Sequence, residues 1–83
     1  MKLTDYIKRI ESIYSAYARK IMLEAKTPSK VDELERKGAQ ELARIVKEAE
    51  RRLSPEDFHY VEYVGMGRIA DLASIAATRI GKL

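Results

Sequence analysis

Two prolines divide this 83-residue sequence into three long stretches of helical pattern. Pro28 and Pro55 are the only prolines, and a proline removes a backbone donor and disfavours helix in the residue before it. Within each stretch, apolar residues recur every three or four positions, as on one face of an α-helix. The pattern predicts an all-α fold: an antiparallel up-down-up bundle of three long helices, at about residues 4–26, 30–53 and 55–80, in a single domain spanning residues 1–83.

The second break carries a full set of helix-start residues. Ser54 is predicted to be the N-cap, and Pro55 suits the first helical position, where its missing amide costs nothing. Glu56 and Asp57 place negative charge at the positive end of the helix dipole. For the second helix, we expect Ser29 to be the N-cap.

Each predicted helix has one apolar stripe that faces the core. The stripe residues are Leu3, Tyr6, Ile7, Ile10, Ile13, Tyr14, Tyr17, Ile21 and Ala25, then Val31, Leu34, Leu42, Ile45, Val46, Ala49 and Leu53, then Phe58, Gly65, Ile69, Leu72, Ala76 and Ile80. Gly38 lies within the second stripe, where it costs about 1 kcal/mol of helix propensity relative to alanine. Counted outward from Ser54, its counterpart on the third helix is Ala70, so we predict that these two small residues meet.

The third helix has a second face, rich in small residues, at about 120° from its core stripe. It consists of Tyr63, Met66, Gly67, Ala70, Ser74, Ala77 and Gly81. Small residues at alternating spacings of three and four let two helices approach closely. This face is either internal packing against the first helix or a surface through which two copies associate. Val61, Val64 and Ile75 lie on yet another side, and we expect association to bury them.

Charged residues suggest a second surface and several structural pairs. The basic side chains of the first helix are Lys8, Arg9, Arg19, Lys20 and Lys26, and they predict a nucleic-acid contact as the alternative to an ordinary solvated face. In the second helix, the acid-before-base pairs four residues apart are interpreted as structural, and they are Asp32 with Arg36, Glu33 with Lys37, and Glu48 with Arg52. The net charge of +3 permits an anionic partner without requiring one.

The amino-acid composition indicates the cellular compartment of the protein and the kind of organism it comes from. The absence of cysteine excludes disulfides and thiolate metal sites and is typical of a reducing compartment. The sequence has no asparagine and one glutamine, while Lys, Arg and Glu are abundant, which indicates a thermophilic source. No apolar run predicts a signal peptide or a membrane span, so we expect a cytoplasmic protein.

No residue pattern predicts catalysis, a cofactor or a metal. His59 and Glu62 are three residues apart, but the helical di-iron pattern runs Glu-x-x-His and needs further carboxylates, so we interpret His59 as a surface residue. The five tyrosines are interpreted as bundle packing, with base stacking as the alternative, and they are Tyr6, Tyr14, Tyr17, Tyr60 and Tyr63.

In length, and in the Leu53-Ser54-Pro55-Glu56 start of its last helix, the chain resembles the all-helical chorismate mutases. That resemblance implies an intertwined dimer whose pocket binds a dicarboxylate through arginines and lysines, without a cofactor. Arg19 and Lys26 are the only residues that could be proposed for the family's cationic roles on the first helix. The second helix lacks the acid-arginine cluster of that family and the last helix lacks its glutamine, so no catalytic residue is carried over.

The sequence therefore predicts a small, non-catalytic helical interaction module. We expect it to associate with a second copy or with another helical protein through the small-residue face of the third helix. Nucleic acid is the alternative partner, while a membrane or a small-molecule substrate is not expected.

Overall fold

The computed structural model describes residues 2–83, and these residues form three α-helices with no strand among them. Helix α1 spans Leu3–Leu23, α2 spans Pro28–Arg52 and α3 spans Pro55–Lys82. Each helix packs against both others in a bundle measuring 43 × 15 × 14 Å. The predicted all-α three-helix bundle is confirmed.

Both corners between helices use the same cap, a hydroxyl residue followed by proline. Ser54 Oγ accepts a hydrogen bond from the Asp57 amide at 3.3 Å, as predicted. At the start of α2, however, the cap is Thr27, whose Oγ1 accepts from the Lys30 amide at 3.1 Å, so the prediction of Ser29 was wrong. The reason is that the fixed φ of Pro28 suits the first helical position, which makes the residue before it the cap.

The core consists of the three predicted stripes, which meet along the bundle axis. Its fully buried large side chains are Tyr6, Ile10, Ile21, Val31, Leu42, Ile45, Val61 and Leu72. Val61 was expected to lie outside the core, and this was wrong. Val64 and Ile75 are partly buried against the same core. Since α3 contacts both α1 and α2, its buried surface extends around more of the helix than one stripe.

Two core glycines allow the helices to approach closely. A Cβ built on Gly38 would lie 2.8 Å from Leu72 Cδ1 and 3.0 Å from Tyr17 Cγ, and a Cβ on Gly65 would overlap Val46 Cγ2. The predicted meeting of Gly38 with Ala70 was wrong, because Ala70 is exposed. The counting was off by two residues, which turns a helix by about 200° and exchanges an outward position for an inward one.

Two arginines of α3 connect the helices at the bundle surface. Arg68 donates from Nε to Glu11 Oε1 at 2.8 Å and stacks over the Tyr14 ring, 4.3 Å from its centroid. Arg79 donates from Nε and Nη2 to the Ala25 carbonyl at 3.1 and 2.8 Å. The second contact fixes the turn after α1 to the end of α3 by satisfying a carbonyl that has left the helical hydrogen-bond ladder.

Candidate functional site

The small-residue face of α3 points to solvent along its whole length. All seven of its residues are exposed: Tyr63, Met66, Gly67, Ala70, Ser74, Ala77 and Gly81. Tyr63 is 79% exposed and Met66 is 55% exposed, unusually high values for large apolar side chains. A Cβ on Gly67 or Gly81 would meet nothing within 4 Å. Internal packing is therefore excluded as the role of this face, which we call the α3 face.

The α3 face carries no ionisable side chain other than the phenol of Tyr63. Ala73, which the sequence analysis did not include, is exposed beside it. At the end nearer the α2–α3 corner, the face borders an open depression of about 1010 Å³. Ile7, Tyr60 and Val64 contribute apolar surface to this depression, while Glu11, Arg68 and Asp71 form its charged border. A mostly apolar strip with a polar border is a common arrangement at protein interfaces.

The charged border is held together by a network centred on Arg68. Besides its contacts with Glu11, Arg68 donates from Nη1 to Asp71 Oδ2 at 3.1 Å. The hydrogen bonds and positive charge of Arg68 lower the pKa of Glu11, and the same carboxylate raises the pKa of Arg68. Both groups therefore keep their charges at neutral pH, and the network ties α3 to α1 beside the exposed face.

The basic residues predicted on the first helix do not share one environment. Lys8, Arg19 and Lys26 are exposed, as expected of either a solvated face or a contact surface. Arg9 pairs with Glu48 of α2, with Nη1 and Oε2 separated by 3.1 Å. Lys20 lies over the ring of Tyr17, 5.1 Å from its centroid. Two of the five predicted contact residues are thus engaged within the bundle.

A second group of cations, on α2, was missed by the sequence analysis. Lys37, Arg44, Lys47 and Arg51 are exposed and follow one another at spacings of seven, three and four residues, which places them on one side of the helix. Acidic residues of α2 lie among these cations. Glu33, one turn before Lys37, pairs with it at 3.2 Å. Glu48, one turn after Arg44, accepts a hydrogen bond from Arg9 of α1 and lies 4.0 Å from Arg52. The expected pair of Asp32 with Arg36 is not formed.

Polar groups that could support chemistry are few in the part of the chain that the structure describes. His59 Nδ1 lies 3.6 Å from Glu62 Oε1, and both side chains are exposed. No cluster of three or more potential metal ligands occurs within residues 2–83.

Burial and the nearby carboxylate of Glu41 raise the pKa of Tyr17, which keeps this phenol neutral. Of the five tyrosines, only Tyr60 and Tyr63 are exposed.

Comparison with protein-family models, with curated proteins and with solved structures found no match. No helix within residues 2–83 is both long enough and apolar enough to cross a membrane.

Proposed function

We propose that this protein is a non-catalytic helical interaction module that associates with a second copy of itself through the α3 face. The observation that carries this proposal is the exposure of all seven residues of the face, including the large side chains of Tyr63 and Met66. Exposed apolar surface of this kind on a small bundle gains free energy when it is removed from water.

The distribution of side-chain size along the α3 face supports an antiparallel, twofold arrangement. Its large residues, Tyr63 and Met66, are at one end, and its smallest, Ala77 and Gly81, are at the other. In an antiparallel pair of α3 helices, the large end of each copy lies over the small end of its partner. A parallel pair would instead oppose Tyr63 with Tyr63 and leave a gap at Gly81. The face is thus complementary to itself under a twofold axis, as a symmetric dimer requires.

The register of such a pair follows from the sequence positions. When Tyr63 lies opposite Gly81, Gly67 lies opposite Ala77 and Ala70 lies opposite Ser74. All three pairs place a small residue on at least one side, so the helix axes can approach to the lower end of the usual 8–10 Å range. The twofold axis then passes between Ala70 and Ser74.

The size of the bundle limits the strength of this dimer. A side of 43 × 15 Å offers on the order of 600 Å² per copy, less than the ~800 Å² of a standard stable interface. We therefore expect a dissociation constant in the micromolar range. Complexes with a micromolar dissociation constant form and dissociate readily. The fraction of this protein that is dimeric should therefore depend on its concentration.

Substitution at the centre of the face tests the proposal. Ala70→Glu places a carboxylate opposite Ser74 of the partner subunit, close to the twofold axis and within about one helical turn of the same carboxylate on the other copy, where desolvation and like charge oppose association. Because Ala70 is exposed in the single bundle, helicity should be retained. The matched control is Ala16→Glu, at a position that is also exposed but belongs to α1. We expect light scattering to give the mass of one chain for Ala70→Glu and of two for Ala16→Glu. Equal masses for the two variants would contradict the proposal.

Nucleic-acid binding through α1 remains a second, weaker proposal. It rests on Lys8, Arg19 and Lys26, which are exposed and form no ion pair with other described residues. The engagement of Arg9 and Lys20 within the bundle reduces this surface to three cations. Three widely spaced charges give little affinity for a polyanion at physiological salt.

A further inference from the structure

We propose that the outward side of α2, together with the cleft beside it, binds the phosphate backbone of duplex nucleic acid. This surface, which we call the α2 cation row, consists of Lys37, Arg44, Lys47 and Arg51. It lies on a different helix from the α3 face, which it adjoins at Met66, and of the basic residues predicted on α1 only Arg9 borders its cleft.

The row is long enough to follow a nucleic-acid backbone. Lys37 and Arg51 are fourteen residues apart, or about 21 Å along the helix axis. A B-form duplex carries one phosphate per ~3.4 Å of axis on each strand, so a row of this length spans on the order of six phosphates of one strand. The cations can therefore contact several phosphates in succession instead of one anion.

The fold leaves most of this row without internal partners. Arg44, Lys47 and Arg51 form no ion pair with any residue in the described range, 2–83. Glu48, the carboxylate one turn after Arg44, is paired instead with Arg9 and Arg52. A favourable interaction with the helix dipole accounts for Arg51 near the end of α2, but it does not account for Arg44 and Lys47 in the helix interior.

The row also borders a cleft in which further cations converge. A cleft of about 380 Å³ between α1 and α2 is lined by Arg9, Arg44, Lys47, Glu48, Arg51 and Arg52. Five cations and one carboxylate thus line one concave surface of a chain whose net charge is only +3. Concave surfaces of one sign focus the electrostatic field and raise the local concentration of counter-charged ligands. Arginines in this position can bind phosphate oxygens through two N–H groups at once.

The shape of the cleft favours a backbone over a small phosphate ligand. All four residues of the α2 cation row are solvent-exposed, and no buried backbone amides or glycine-rich loop surround a single anion position. Such a surface makes phosphate contacts that position a duplex without reading its bases. We therefore expect binding that does not depend on sequence and that weakens steeply with salt.

The test is a titration of labelled 20-base-pair duplex DNA by fluorescence anisotropy, from 50 to 200 mM salt. The variant Arg44→Gln/Lys47→Gln/Arg51→Gln removes three cations of the row, and Lys8→Gln/Arg19→Gln/Lys26→Gln removes three exposed cations of α1. These two variants have the same net charge, so they separate a specific surface from general attraction. Circular dichroism confirms that both remain helical.

We expect the α2 variant to bind about tenfold more weakly at 50 mM salt, and its slope of log K against log salt to be smaller by about 2.7. The α1 variant should stay close to the unsubstituted protein, and two unrelated duplex sequences should bind equally. The proposal is overturned by an absence of binding at 50 mM salt, by equal or greater loss in the α1 variant, or by sequence preference. Displacement of the duplex by millimolar inorganic phosphate at constant ionic strength would also overturn it, in favour of a small phosphate ligand.

Discussion

Gly65 and Gly67 lie two residues apart on α3 but in opposite environments. Alanine at Gly65 would overlap Val46 Cγ2, and a β-branched side chain has little freedom to move aside. Alanine at Gly67 meets nothing within 4 Å. We expect Gly65→Ala to lower the free energy of unfolding by about 1–2 kcal/mol through overpacking, and Gly67→Ala to raise it by about 1 kcal/mol through helix propensity.

Thermal unfolding at a concentration low enough to keep the protein monomeric checks this pair. A change of 1 kcal/mol corresponds to a shift of about 4–8 °C in the Tm of a domain of this size. Gly67→Ala therefore serves as the control for Gly65→Ala, since it makes the same chemical change on the same helix. Shifts of the same sign would show that the contact between Gly65 and Val46 is not a close one.

Local chemistry decides where a helix cap lies, and from it the prediction of Ser54 was correct whereas that of Ser29 was wrong. Ser54 is the N-cap because a hydroxyl before proline is suited to that position in any helix. The same reasoning, applied to Thr27 in place of Ser29, would have given the second cap. Ala70 was misplaced because its partner depends on the register between two helices, which a count from the corner gives only to within a residue or two.

At the scale of helices, the contact between Glu11 of α1 and Arg68 of α3 makes stability depend on pH. Arg68 lowers the pKa of Glu11 in the folded protein, so the contribution of this carboxylate is fully present above its unfolded pKa and is lost as the pH falls through the folded value. We expect Glu11→Gln to reduce the free energy of unfolding at pH 7 by less than ~1 kcal/mol, because the side chain is 42% exposed.

Urea unfolding at pH 7 and at pH 3 measures this effect. The difference between the unsubstituted protein and Glu11→Gln should be smaller at pH 3 than at pH 7, because the contribution of the charged carboxylate declines as the pH falls below the unfolded pKa towards the lowered folded one. Glu50→Gln is the control, because Glu50 is exposed on α2 and forms no ion pair among the described residues. A difference that is the same at both pH values would contradict the role of the Glu11 charge.

The pattern of apolar residues predicted three helices and their order, and the structure agrees to within a few residues at each end. Contacts that span 54 or 57 residues, such as Arg79 with Ala25 or Arg68 with Glu11, could not be predicted. They need the three-dimensional arrangement of the helices, and no local spacing signals them. The burial of Val61 could not be predicted for the same reason, because it depends on the contacts of α3 with two neighbouring helices.

At the scale of the whole molecule, the fold brings to one side of α2 cations that are interspersed with acids along the sequence. Charge counted along the chain puts the basic excess on the first helix, since α2 has nearly as many acids as bases. In the bundle, α2 carboxylates such as Glu48 turn towards α1, and the outward cations Arg44, Lys47 and Arg51 remain. The α3 face lies on another helix, and it adjoins the α2 cation row where Met66 lines one depression with Arg44 and Lys47.

The mass of the unsubstituted protein in solution tests the central proposal most directly. Sedimentation equilibrium from about 1 to 500 µM covers the micromolar dissociation constant expected for an interface of this size. We predict a weight-average mass that rises from the 9.5 kDa of one chain towards twice that value, and that fits a monomer–dimer equilibrium. A mass that stays at 9.5 kDa over the whole range would show that the α3 face does not join two copies of this protein.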